Sequence, residues 1–123
     1  MWTLLTYLLG CLSQFCEAAN VESVRIVQCD TRVTVDERVD PIELATYRVS
    51  GFGGTDLTAA FKRLEEDPEV VCALVITDGG LWRIPAEPSY EVLWAVLGGF
   101  SWTGKPDYGR IIEVDWPEEK PLV

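Results

Sequence analysis

The run Val70-Val71-Cys72-Ala73-Leu74-Val75-Ile76-Thr77 constrains this chain more than any other segment, because it shows no alternation of apolar and polar residues. A strand with one wet face alternates, so an unbroken apolar run of this length reads as a strand covered on both faces of a parallel sheet. It ends in Asp78-Gly79-Gly80, and upstream of it stands the glycine-rich loop Gly51-Phe52-Gly53-Gly54-Thr55-Asp56. That loop leads into an amphipathic helix in which Leu57, Ala60, Phe61 and Leu64 fall at i, i+3, i+4 and i+7, with Thr55 or Asp56 as its cap. Ligands of open α/β sheets gather beyond the carboxyl ends of the strands. A hydroxyl from Thr55 and a carboxylate from Asp78 are therefore placed to share a small hard cation through waters. Such a pair suits binding more naturally than catalysis.

Leu4, Leu5, Leu8, Leu12, Phe15 and Cys16 follow helical spacing and predict a core-packed helix over residues 2–18. The alternative for this stretch is a secretory signal, since Leu8-Leu9-Gly10-Cys11 imitates a lipoprotein cleavage box. Against it, no Lys or Arg precedes the stretch, and Thr3, Thr6, Ser13, Gln14 and Glu17 interrupt it. It is also too short and too broken to span a bilayer. Val24–Cys29 and Arg32–Asp36 alternate and are separated by Asp30-Thr31, which predicts a hairpin whose second member is a charged edge strand. Pro41 to Ala45 makes a short helical turn before Tyr47-Arg48-Val49 extends into the glycine loop. Val92–Leu97 and Arg110–Val114 are two further strands, with Trp94 in the core. Gly98 to Tyr108 is too rich in Gly and Pro for a helix. The order helix, strand, strand, helix, strand, strand, strand predicts a three-layer α/β domain, and 123 residues suit one domain spanning 1–123.

Ten Lys and Arg against twenty Asp and Glu give a net charge of −10, and no residue is histidine. This field repels polyanions and argues against nucleic acid and anionic membrane as partners. Without histidine the chain has no Ser-His-Asp chemistry and no His-containing zinc site. Cys11, Cys16, Cys29 and Cys72 show no C-x-x-C spacing. Each lies in an apolar run, which predicts buried free thiols in a reducing cytoplasm. Glu65-Glu66-Asp67 and Glu118-Glu119 read as solvated surface.

Taken in order, Gly51–Asp56, Val75-Ile76-Thr77-Asp78-Gly79, Tyr90-Glu91-Val92-Leu93-Trp94 and Tyr108-Gly109-Arg110-Ile111-Ile112 resemble the von Willebrand factor A-like domain. The resemblance is to the bacterial VWA-like family found at the carboxyl end of putative metallopeptidase-like proteins, and it runs from the first helix to about Asp115. It implies a Rossmann-like fold with a mostly parallel sheet and an antiparallel edge strand. It also implies a magnesium site built from three loops, in which Thr55 matches the second position and Asp78 the third. The first, Asp-x-Ser-x-Ser, has no counterpart here, and with it the family's first central strand is missing. The resemblance thus leads us to expect an amino-terminally truncated domain in which Val24–Cys29 pairs directly with Val70–Thr77, or another segment or chain fills the gap. A truncated product, a misplaced start codon and a dimer that covers the open edge all fit that expectation.

The function that follows is a non-enzymatic interaction module, with an incomplete or vestigial magnesium edge at Thr55 and Asp78 that receives an acidic side chain of another protein. Trp82 and Arg83, in the loop after Asp78, are candidates to anchor that partner, or the loop folds back and buries Trp82. Simple helix capping by Thr55 or Asp56, and an Asp-Gly turn at Asp78, are the plainer roles for these residues. Two rivals stay open: a hydrolase using Asp78 with Asp56 or Asp30 around a metal, and a structural remnant completed by a partner chain.

Overall fold

A computed structural model describes residues 2–49, 56–81, 83–98 and 102–115, with the backbone alone for Trp2 and Thr3. The glycine loop through Thr55, and Trp82, lie outside the described residues. Helix α1 (Trp2–Ala18) forms where the spacing places it, and no helix among the described residues is long and apolar enough to cross a membrane. Its buried side chains are Leu4, Leu5, Leu9 and Ser13. Leu8 and Leu12 flank them, and the cluster takes in Ile76, Leu97 and Val114. Phe15, expected on this face, is 67% exposed because the sheet contacts of α1 end at Leu12.

Strands β1 (Val24–Cys29) and β2 (Val33–Val39) pair antiparallel, from Val24 opposite Val39 to Cys29 opposite Val33. β2 runs three residues beyond the predicted Asp36 and carries the exposed charges Asp36, Glu37 and Arg38, which guard an outer edge. A 3-10 turn follows at Pro41–Thr46. Glu43 Oε2 accepts the Asp40 N–H at 3.0 Å and fixes the turn's start, and α1 lies along it.

Helix α2 (Thr58–Glu65) precedes a parallel sheet of β3 (Cys72–Thr77), β4 (Glu91–Leu97) and β5 (Arg110–Val114), in the order β3-β4-β5. Cys72 stands opposite Glu91, and Leu93 opposite Arg110. β4 is central and alternates: Val92 and Trp94 face α2, while Leu97 faces α1. Phe61 of α2 stacks on Trp94 with centroids 5.8 Å apart and planes at 25°. Trp94 is 0% exposed, and its indole N–H donates to Tyr108 O at 3.0 Å. Trp102 and Tyr108 meet it edge-on at 6.2 and 5.8 Å. The Tyr90 hydroxyl donates to Phe61 O at 3.2 Å and the Tyr108 hydroxyl to Pro85 O at 2.7 Å. Burial pushes both phenols up to about 12.

The fold is therefore α/β, with a three-stranded parallel sheet and a separate antiparallel pair. One of the two alternatives for β1 is removed, and two expectations fail. β1 does not pair with β3; no ladder joins the two sheets among the described residues. β3 is not covered on both faces either: Val71 is 76% exposed and Leu74 40%. With β4 on one edge only and α1 reaching no further along β3 than Ile76, the face of this strand opposite α2 is left bare over its amino half. The cysteines are free as expected but none is buried, for Cys11 and Cys72 are exposed and Cys16 and Cys29 half-buried. Apolar neighbours in sequence did not put these positions under a layer: Cys11 lies on the outer side of α1, and Cys72 opens the bare half of β3.

Gly109 has φ +77°, and a Cβ there would stand 2.7 Å from Val92 O and 2.9 Å from Trp94 Nε1. Gly10, inside α1, has nothing within 4 Å of its would-be Cβ. Gly109→Ala should lower stability by about 1–3 kcal/mol through strain beside Trp94, whereas Gly10→Ala should raise it by about 0.5–1 kcal/mol. Chemical denaturation followed by tryptophan fluorescence reads both, and opposite signs are the expected outcome.

Candidate functional site

The carboxyl ends of β1 and β3 and the start of α2 each carry an aspartate. Asp30 follows β1 and turns back on its own chain, Oδ1 accepting the N–H of Thr31 and that of Arg32, the latter at 3.0 Å. Those backbone donors, Arg32 first, hold its carboxyl below the usual range. Asp56 donates its N–H to Asp30 O at 3.4 Å, and Cys29 Sγ lies 3.5 Å from Asp56 O. The start of α2 is thereby tied to the end of β1. Asp56 also forms an isolated parallel bridge with Arg83.

Asp56 braces the helix from one position outside its cap. Leu57 is the capping residue and has no side-chain cap bond. Asp56 Oδ1 instead accepts the Thr58 N–H at 3.0 Å, and the buried Thr58 hydroxyl beside it has no other partner among the described residues. Thr58, through hydroxyl and then backbone, holds the Asp56 carboxyl below its ordinary value, and the charge of Arg83 adds to this.

Beyond β3 the chain folds into a braced turn. The Thr77 hydroxyl, buried, accepts the Gly79 N–H at 3.1 Å, and Asp78 Oδ1 accepts the Gly80 N–H at 2.9 Å. Gly79 has φ +87°, which a β-carbon would oppose. Thr103 then ties the turn to the β4–β5 connection: its N–H donates to Gly79 O at 2.9 Å and its hydroxyl to Leu81 O at 3.2 Å. Asp78 is thus a turn residue with one carboxylate oxygen engaged by backbone.

Of the four predicted site residues, Asp78 and Arg83 fall among the described residues, and Thr55 and Trp82 outside them. Arg83 is exposed and lies beside Asp56. Among the described residues no three Asp, Glu or Cys side chains gather closely enough to hold a metal ion. The sequence reading missed the links of Asp56 to Asp30 and Arg83, and the role of Thr103; all three join segments far apart in sequence, which no local pattern marks. An open groove of about 230 Å³ lined by Leu5, Thr6, Leu9, Tyr47, Arg48 and Val49 contains none of the predicted site residues.

Residues 4–115 match the family model described as VWA-like domain (DUF2201), and the chain belongs to that family. No match to a curated protein or to a solved structure was found.

The depressed Asp56 carboxyl makes part of the stability pH-dependent. Its contribution is present above the unfolded carboxyl value of about 3.9 and is lost as pH falls through the lower folded value. Asp56→Ala should cost about 1 kcal/mol at pH 7. The gap between wild type and variant should close below about pH 4. Melting curves from pH 7 to pH 3 check this, and a constant gap would count against the assignment.

Proposed function

We propose that this VWA-like domain is a non-enzymatic protein-interaction module whose loop edge, at the carboxyl ends of β1 and β3, receives an acidic side chain of another protein. What supports the reading most is the braced turn that fixes Asp78 just past β3, with α2 and Arg83 held beside the same edge by Asp56. In a chain of net charge −10, an incoming carboxylate needs a positive counterpart. Two are at hand in this reading: a divalent ion held by Thr55 and Asp78, and the guanidinium of Arg83, with Trp82 as the apolar anchor next to it. The ion site is incomplete. Magnesium wants a near-octahedral set of oxygens, and Asp78 offers one carboxylate with one oxygen already taken by Gly80.

A hydrolase built on Asp78 with Asp56 or Asp30 draws less support. Each of these carboxylates is bonded to backbone within its own turn, and histidine, the commonest general base, is not in the chain. The free thiols agree with a reducing cytoplasm as the place of action.

An incomplete site predicts a weak but specific ion effect. With a Kd in the millimolar range, ~10 mM Mg²⁺ should raise the melting temperature by roughly 2–5 °C, and Asp78→Ala should abolish the rise. If wild type and variant rise equally, or neither rises, magnesium at Asp78 is removed from the account.

A further inference from the structure

The groove between α1 and the segment that follows the 3-10 turn shares no lining residue with the loop edge, and its two walls differ. On the α1 side Leu5 and Leu9, both buried, make an apolar floor beside Thr6. Opposite runs Tyr47-Arg48-Val49, which leaves the turn extended, with Tyr47 at φ −66° and ψ 135°. Tyr47 and Val49 pack on the α1 cluster and hold the segment in place. The Tyr47 hydroxyl fixes it further, accepting from Gln28 at 3.1 Å and donating to Glu37 Oε1 at 2.7 Å.

Two kinds of polar group on this wall are unused. The Tyr47 N–H is spent on Leu44 O at 3.2 Å, but among the described residues the N–H groups of Arg48 and Val49 meet no acceptor. The Arg48 side chain is exposed and has no ion-pair partner among the described residues. Glu37 and Glu43, on β2 and the turn, are engaged by the Tyr47 hydroxyl and the Asp40 N–H. An extended segment with open main-chain groups is a template for another extended chain. In a chain of net charge −10, an unmatched cation beside it selects an anion. Volume narrows the choice. An apolar cavity of about 150 Å³ holds benzene, so about 230 Å³ has room for roughly nine non-hydrogen atoms, the size of one leucine or isoleucine with its terminal carboxylate.

We propose that this groove captures the carboxyl-terminal residue of another polypeptide, one that ends in Leu, Ile or Val. Its side chain rests on Leu5 and Leu9, its carboxylate meets Arg48, and its main chain runs along Arg48 and Val49. In a polypeptide only the carboxyl terminus carries a carboxylate and an aliphatic side chain on one residue. Asp and Glu bring their charge on the side chain itself, which the apolar floor disfavours. A free aliphatic carboxylate suits the floor and Arg48 but makes no use of the main-chain groups beside them. The site shares no residue with the loop edge and needs no ion, so either can fail without the other.

Amide shifts of the isotopically labelled full chain, titrated with the peptide acetyl-Ala-Ala-Val-Leu, test this. The amides of Leu5, Thr6, Leu9, Arg48 and Val49 should move in a one-to-one complex, in EDTA as in Mg²⁺, while those of Asp78 and Arg83 stay in place. The same peptide ended by a carboxamide should bind at least ~tenfold more weakly. Arg48→Ala should weaken the acid peptide by a similar factor and no longer distinguish acid from amide. Because Arg48 is exposed, that variant keeps the fold, which the rest of its spectrum checks. Octanoate should bind at least ~tenfold more weakly than the peptide. Equal binding of acid and amide would take Arg48 out of the site, and octanoate as tight as the peptide would make a free carboxylate the ligand. NOEs from Leu122 or Val123 to Leu5 and Leu9 without peptide would make the chain's own end the occupant. Each of these overturns the proposal, as does a peptide that shifts none of the groove amides.

Discussion

The structure depends on α2 holding together two sheets that share no backbone ladder among the described residues. Phe61 stacks on Trp94 at 5.8 Å and places the helix on β3-β4-β5. From its flanks and exposed side the same helix reaches the hairpin. Arg63 meets Asp36 at 3.4 Å, Asp67 meets Arg25 at 3.0 Å, and Asp56 is bonded to Asp30. The Arg25–Asp36 pair at 2.8 Å completes the polar cluster, and its first effect is to hold the Asp36 carboxyl below the usual range. These side chains are partly exposed, so the ion pairs are individually weak. The aromatic stack is dry. Apolar burial therefore supplies most of the attachment on the parallel sheet, and polar contacts supply register on the hairpin.

That division explains where the loop edge comes from. Because α2 begins where β1 ends, Asp56 sits between Asp30 and Arg83, and Thr103 ties the turn after β3 to the β4–β5 connection. A VWA-like domain suggests a protein-interaction module in general. The finer assignment of an acidic partner is our proposal, and it rests on Arg83 beside Asp56 and on the turn that fixes Asp78.

Elements were legible because their signals are local. Helical spacing in α1 and α2, alternation in β1 and the Asp30-Thr31 break all report on a few neighbouring residues, and each element formed where it was expected. The coverage of β3 was not legible. An unbroken apolar run tells what a strand tolerates on its faces, and Leu74 and Val71 show that it does not tell which neighbours are present. The cysteines make the same point. For the site, the rule that strand ends gather ligands led to Asp78. The bridge between Asp56 and Arg83 depends on the path of the chain between them, and no spacing in the sequence encodes it.

The central claim is that α2 joins the β1-β2 hairpin to the parallel sheet, with no ladder between β1 and β3. Backbone NOEs measured on the isotopically labelled full chain test it most directly. The account predicts NOEs between the Phe61 and Trp94 rings, sequential cross-strand NOEs between β3 and β4, and none from β1 to β3. A set of backbone NOEs running from Val24–Cys29 to Cys72–Thr77 would show a closed ladder and contradict it.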